Sequence, residues 1–171
     1  PRGDSGKRRV SPLDRIVFVQ FLTQDPDVAT SIPLSASAAR PTILVVDDEP
    51  STQRTLDRLL AFYRFAPRQA SNIQDATLIA EREPVDAFVV DLTLGREESG
   101  MDMVAWLRRQ RGYAMAPVFV LTSDLDIPDR DRTLIRQHGA HLFYKGQSLE
   151  LLIDRLQRIL ADSTASASGS R

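Results

Sequence analysis

The chain alternates two kinds of hydrophobic pattern. Continuous apolar runs, which as extended segments would be buried on both faces, occur at Ile43–Val46, in "DAFVVD" (Asp86–Asp91) and in "VFVLTSD" (Val118–Asp124). Between them, apolar residues recur at helical spacing. Leu56, Leu59, Leu60 and Tyr63 fall at i, i+3, i+4 and i+7, the stripe that one helix face presents to a core. Asn72 with Asp75 reads as a helix N-terminus ahead of Ile73, Ala76 and Ala80. A third helix carries Met103, Val104, Trp106 and Leu107, and a polar fourth is expected around Asp129–Gln137. The last places Leu149, Leu152, Ile153, Leu156 and Leu160 on one face. With "APRQA" (Ala66–Ala70) as a weak second strand and "GAHLFYK" (Gly139–Lys145) as a fifth, five strands alternate with five helices.

Strands that are apolar on both faces need cover on both sides. The expected fold class is therefore α/β, a doubly wound five-stranded parallel sheet with helices on both faces. Composition agrees: 171 residues, 42% hydrophobic and 26% charged, suit one globular domain with tails better than two domains. We expect a poorly ordered N-terminal extension over 1–40, a domain over 41–160 and a flexible small-polar tail, "ADSTASASGSR", over 161–171. The short apolar stretch Ile16–Leu22 behind a basic flank has some look of a secretory signal. Asp14 and Arg15 abut it and Gln20 interrupts it, so the reading is rejected, and the stretch is too short to span a bilayer. A net charge of −1 without a basic stripe argues against nucleic acid as a direct partner, and the absence of cysteine excludes disulfides and thiolate metal sites. The expected setting is cytoplasmic, with no membrane partner.

In open parallel sheets the ligand site lies beyond the carboxyl ends of the strands. Asp47 and Asp48 end the first strand, Asp91 the third, Thr122 the fourth and Lys145 the fifth. Three carboxylates brought together repel unless protons or a cation intervene. Oxygen-only ligands suit a hard divalent ion, above all Mg²⁺, while a hydroxyl and an ammonium complement an incoming anion. A phosphoryl group meets all these needs, and one carboxylate could itself be the nucleophile, giving an aspartyl phosphate. Each residue also has a local explanation. A strand-end aspartate can cap a helix, Thr122 can cap the next turn, Lys145 can be a solvated surface residue, and Glu49 reads as a solvated flank or helix-dipole partner. His138 and His141 are isolated and read as surface or partly buried residues, not ligands; Met101, Met103 and Trp106 read as packing.

The stretches "ILVVDDEP", "DAFVVDLTLGREESGMDMVAWLR", "PVFVLTSD", "DRDRTLIRQHGA" and "FYKG" occur in this order from about Pro41 to about Leu160. Together they resemble the receiver domain of bacterial two-component response regulators, similar to the chemotaxis regulators and with a flavodoxin-like fold. The resemblance implies that Asp91 accepts a phosphoryl group from a phosphohistidine on a sensor histidine kinase or phosphotransfer protein. It implies Mg²⁺ bound directly by Asp48 and Asp91, through water by Asp47, and by the backbone carbonyl of Thr93, with Thr122 and Lys145 contacting the phosphoryl oxygens. Leu92 and Ser123 would flank the site through their backbone, and the side chains of Thr93 and Asp124 would tune the lifetime of the phosphorylated state. The chain would be a signalling switch and not an enzyme. It would act on a downstream protein, or on its own copies, through the face built by the fourth helix, fifth strand and fifth helix; with no output domain in this sequence, the signal is expected to pass by contact, or the chain is a fragment of a longer one.

The sequence departs from the family pattern in the loops around the site. Gly146 stands where proline usually follows the lysine. The segment Asp91–Gly100 runs one residue long, with Gly95 where proline is frequent, and Gly139–Lys145 runs one short. The switch position, usually an aromatic three residues before the lysine, is Leu142; Phe143 is an alternative, and Tyr144 a weaker one because its neighbour faces the other way. A degenerate receiver, an interaction module that is never phosphorylated, therefore stays open as the alternative. An aspartate-based phosphohydrolase normally needs a second acid two residues on, where this chain has Thr93. A dinucleotide site would need glycines where the chain has "DDEP".

Overall fold

The computed structural model describes residues 40–95, 98–146 and 149–168, all within one unit, Ala39–Arg171. The expected extension over 1–40 lies, except for Arg40, outside the described residues. In chain order the elements are β1 (Thr42–Val46), α1 (Pro50–Phe62), β2 (Ala66–Ala70), α2 (Ile73–Arg82), β3 (Ala87–Asp91), β4 (Thr93–Leu94) and β5 (Glu98–Ser99). They continue with α3 (Gly100–Arg109), β6 (Val118–Thr122), α4 (Asp129–Gln137), β7 (His141–Tyr144) and α5 (Leu149–Ser168). The main sheet has strand order β2-β1-β3-β6-β7, with every neighbouring pair parallel.

The continuous apolar runs supply the centre of this sheet. Ile43–Val46, Ala87–Val90 and Val118–Leu121 are all buried, and alternate residues feed two separate cores. Leu44, Val46, Phe88, Val90, Val118 and Val120 face α2, α3 and α4, where Ala76, Ala80, Met103, Leu107 and Ile135 meet them. Ile43, Val45, Val89, Phe119 and Leu121 face α1 and α5, covered by Leu56, Leu60, Leu152, Ile153 and Leu156. Helices on both faces follow from strands that have no polar face to offer water. Strand β2, at the edge, is only partly buried and tolerates Pro67 and Arg68.

Helix boundaries follow local chemistry. Asn72 has extended backbone angles and its side-chain oxygen accepts from the Asp75 N–H at 2.7 Å, satisfying one free donor of the first turn of α2. Asn72→Ala is expected to lower stability by about 1 kcal/mol, read from the urea midpoint at unchanged slope. The last helix continues through Ser168, so the change to a flexible tail expected at residue 161 does not coincide with the end of regular backbone. Once a helix is nucleated by packed residues such as Leu152 and Leu156, each further residue costs little, and alanines favour extension. No helix among the described residues is long and apolar enough to cross a membrane.

Between Asp91 and Gly100 the chain forms a small antiparallel ribbon of β4 and β5. Thr93 pairs with Ser99 and Leu94 with Glu98, and Gly95 enters the turn at φ +63°, a conformation glycine takes without penalty.

Candidate functional site

Parallel pairing carries the chemistry-bearing residues to one edge of the sheet. Asp47 follows the last residue of β1, Asp91 is the last residue of β3 and lies opposite Leu121, and Thr122 ends β6 opposite Tyr144. The Lys145 N–H donates to the Thr122 carbonyl at 2.7 Å, which fixes the lysine backbone just beyond the strand ends.

Asp47, Asp48 and Asp91 each bring a carboxylate oxygen within 4.8 Å of the others. Asp47 is 1% exposed and Asp91 7%, whereas Asp48 is open to solvent. Lys145 enters this group: its Nζ lies 2.7 Å from Asp91 Oδ2 and 2.9 Å from Asp47 Oδ2. The first contact is a hydrogen bond. The second is an ion pair that holds the otherwise unpartnered, buried Asp47 Oδ2 against the same ammonium. Burial raises the Asp91 pKa above the ordinary carboxylate value, and this outweighs the opposing hydrogen bond and charge of Lys145; the Asp47 charge adds to the rise. Burial would lower the Lys145 pKa, but its contacts with Asp47 and Asp91 prevail and raise it. The lysine is therefore a fixed cation among three acids, and the excess of negative charge remains.

That excess of charge is what a hard cation relieves, and every candidate ligand atom is oxygen. The residues present fit Mg²⁺. Thr93 begins β4 two residues after Asp91, and its N–H approaches Asp91 Oδ1 at 3.4 Å. Thr122 is 2% exposed, and its hydroxyl accepts from the Asp124 N–H at 3.1 Å, the turn-capping contact that its local explanation requires. A cavity of about 220 Å³ opens beside Lys145, lined also by Ser51, Thr52, Thr55, Leu121 and Leu149. Gly146 is exposed in the turn that follows.

Glu49 does not join the acid cluster. It occupies the N-cap of α1 and accepts hydrogen bonds from the Ser51 and Thr52 hydroxyls, which in that order lower its pKa. The two histidines lie away from the acids and line a cleft with Arg108, Arg155 and Met115 at the start of β6 and β7. Sequence reasoning passed over two residues that shape the site. Gly100 was no more than a spacing marker, yet an added Cβ would stand 2.0 Å from the Asp91 carbonyl oxygen. Gln53 fell on the polar side of the α1 stripe, but its amide reaches the turn that carries Asp47. A glycine opening a helix behind an acid-bearing loop is a signal for the first; nothing local marks the second.

The question of the switch aromatic changes with the fold. Leu142 and Tyr144 pack on the sheet face shared with α3 and α4, while Phe143 packs across the sheet against Phe119 beneath α1 and α5. Phe143 is therefore on the wrong face to follow α4. The α4-facing aromatic of β7 is Tyr144, in register with Thr122.

Residues 43–157 match the family model of the response regulator receiver domain, and the chain belongs to that family. It is 32% identical over 126 residues to the transcriptional regulatory protein KdpE of Mycobacterium tuberculosis, covering 73% of this chain and 53% of that protein. It is also 32% identical over 85 residues to the response regulator protein PilR of Pseudomonas aeruginosa, covering 50% of this chain and 18% of PilR. The chain thus spans about half of KdpE and under a fifth of PilR. Among solved structures, the chemotaxis protein CheY4 of Vibrio cholerae superposes with a TM-score of 0.63 at 23% identity, covering 70% of this chain and 98% of CheY4. A response regulator receiver protein from Pseudomonas putida gives 0.64 at 24% identity, covering 71% and 99%. The fold is the flavodoxin-like receiver fold expected from the sequence.

Proposed function

We propose that this receiver is a phosphoacceptor. An Asp91 carboxylate oxygen attacks the phosphorus of a phosphohistidine on a sensor histidine kinase or phosphotransfer protein; the phosphorus–nitrogen bond breaks and its electron pair returns to the imidazole. The observation that carries the reading is the convergence of Asp47, Asp48 and Asp91 within 4.8 Å, with Lys145 Nζ 2.7 Å from Asp91. Mg²⁺ would be held by Asp48 and Asp91, by Asp47 through water and by the Thr93 carbonyl; when bound it neutralises the excess charge and polarises phosphoryl oxygens. Lys145 supplies a fixed positive charge to those oxygens, and the Thr122 hydroxyl, whose oxygen accepts from the Asp124 N–H, has its own proton to donate.

Phosphorylation then acts by shifting a population between two loop arrangements, because the Thr122 and Lys145 contacts to the new group exist in only one of them. Tyr144, beside Thr122 on the α4 side, is the aromatic best placed to follow that change. The output is a changed affinity for a downstream protein or for a second copy through α4, β7 and α5. The partners in this reading are proteins, the setting is cytoplasmic, and Asp91 is an acceptor and not the centre of a turnover enzyme.

The test is intact-mass analysis after incubation with Mg²⁺ and acetyl phosphate. The expected result is one added phosphoryl group, lost on alkaline treatment and absent when chelator replaces Mg²⁺. An unmodified chain that still binds Mg²⁺ would favour the degenerate receiver, for which Leu142 and Gly146 speak. Sustained release of phosphate from phosphate esters would point instead to an enzyme.

A further inference from the structure

The acid pair Asp47–Asp48 lies on a turn whose backbone is held from outside the acid cluster. The Gln53 side-chain Nε2, on the first turns of α1, donates to the Asp47 carbonyl at 2.6 Å and shares its hydrogens with the Ala70 carbonyl and the Ser71 hydroxyl, each at 3.1 Å. The Asp47 N–H itself donates to the Ala70 carbonyl at 3.1 Å. In return, the Gln53 carbonyl accepts from Gln69 Nε2 at 3.0 Å. The turn is thus fastened on both sides of Asp47 to the end of β2, and half-buried Gln53 is the side chain that bridges the two segments. Within the turn, the Glu49 N–H donates to Asp47 Oδ1 at 2.9 Å and leaves Oδ2 turned to Lys145.

We infer that Gln53 is a positioning residue: it is not one of the clustered carboxylates, yet it holds the Asp47–Asp48 turn in the arrangement that would bind Mg²⁺. This rests on the phosphoacceptor reading above. The physical reason is that three mutually repelling carboxylates spread apart unless their backbone is restrained. A restraint present before the cation arrives spares the cation the cost of ordering the turn. Groups that orient metal ligands from outside commonly change affinity by about tenfold or more when removed.

The test is calorimetric titration of the full chain with MgCl2, together with amide hydrogen exchange in chelator. Gln53→Leu removes both donors, and Gln53→Asn keeps an amide too short to bridge the two segments while disturbing the fold least. Tyr113→Phe is the control: it removes the hydroxyl that donates to Ala80 and Glu83 carbonyls at the far end of the strands. The expected result is a Mg²⁺ affinity about tenfold weaker in both Gln53 variants. Exchange at Asp48 and Glu49 should be faster without metal, and Tyr113→Phe should bind Mg²⁺ as the parent does. Parent-like affinity in Gln53→Asn and Gln53→Leu overturns the inference and leaves the phosphoacceptor reading standing. So does an affinity that falls in all three variants in step with their stability. A parent that shows no Mg²⁺ binding overturns both.

Discussion

Gly100→Ala is expected to destabilise the protein by about 3 kcal/mol or more, read from the urea midpoint, and to weaken Mg²⁺ binding in whatever fraction stays folded. Helix propensity alone gives the opposite sign, since alanine in a helix is favoured over glycine by about 1 kcal/mol. The close approach of α3 to β3 decides the matter. A Cβ on Gly100 would lie 2.0 Å from the Asp91 carbonyl oxygen and 2.9 Å from its carbon. Both are backbone atoms and cannot rotate away. The Gly100 N–H also donates to the Leu92 carbonyl at 2.9 Å, tying the start of α3 to the residue after Asp91. Relief must come from moving α3, whose Met103, Val104 and Leu107 are buried, or from moving Asp91 itself. A stability equal to or above that of the parent would show that the strand end yields easily and that Gly100 does not set the position of Asp91.

Asp91→Asn is expected to abolish the labile phosphoryl modification entirely while leaving a folded protein. The amide lacks the nucleophilic oxygen pair but matches the carboxylate in shape. Its effect on stability has a defined sign. The Asp91 pKa is raised in the folded state, so the native protein binds this proton more tightly than the unfolded chain does. The stability associated with Asp91 is fully present below its unfolded pKa and is lost as pH rises through its folded pKa. Above that window the ionised carboxylate opposes folding. At neutral pH in chelator, Asp91→Asn should therefore be at least as stable as the parent, and adding Mg²⁺ should stabilise the parent more than the variant. Retained modification in the variant would place the acceptor elsewhere. A variant much less stable than the parent in chelator would mean that the Lys145 hydrogen bond outweighs burial.

The strands were legible because burial on both faces leaves a mark in the residues themselves. Ile43–Val46 and Ala87–Val90 read as parallel-sheet interior without any knowledge of their neighbours, and they are. Asn72 was readable for the same kind of reason: its cap is a contact within three residues. The acids at strand ends were legible one step further on, since a parallel sheet must deliver all its carboxyl ends to one edge. The face of Phe143 was not. Strand alternation separates Phe143 from Leu142 and Tyr144, but which set meets α4 depends on the register of β7 against β6, and Val120 opposite Leu142 decides it.

The amino-acid order by itself determined the alternation of strand and helix, the burial of the central strands and the presence of three carboxylates, a hydroxyl and an ammonium at one edge. These follow from local hydrophobicity, period and chain direction. Only the tertiary structure decided that Lys145 sits between Asp47 and Asp91, that Gly100 admits no side chain and that Gln53 reaches across from α1 to the turn carrying the acids. Those are contacts between different elements of the fold, and small shifts of one element against another govern them. Such contacts depend on how whole elements pack, and no stretch of the chain carries them alone.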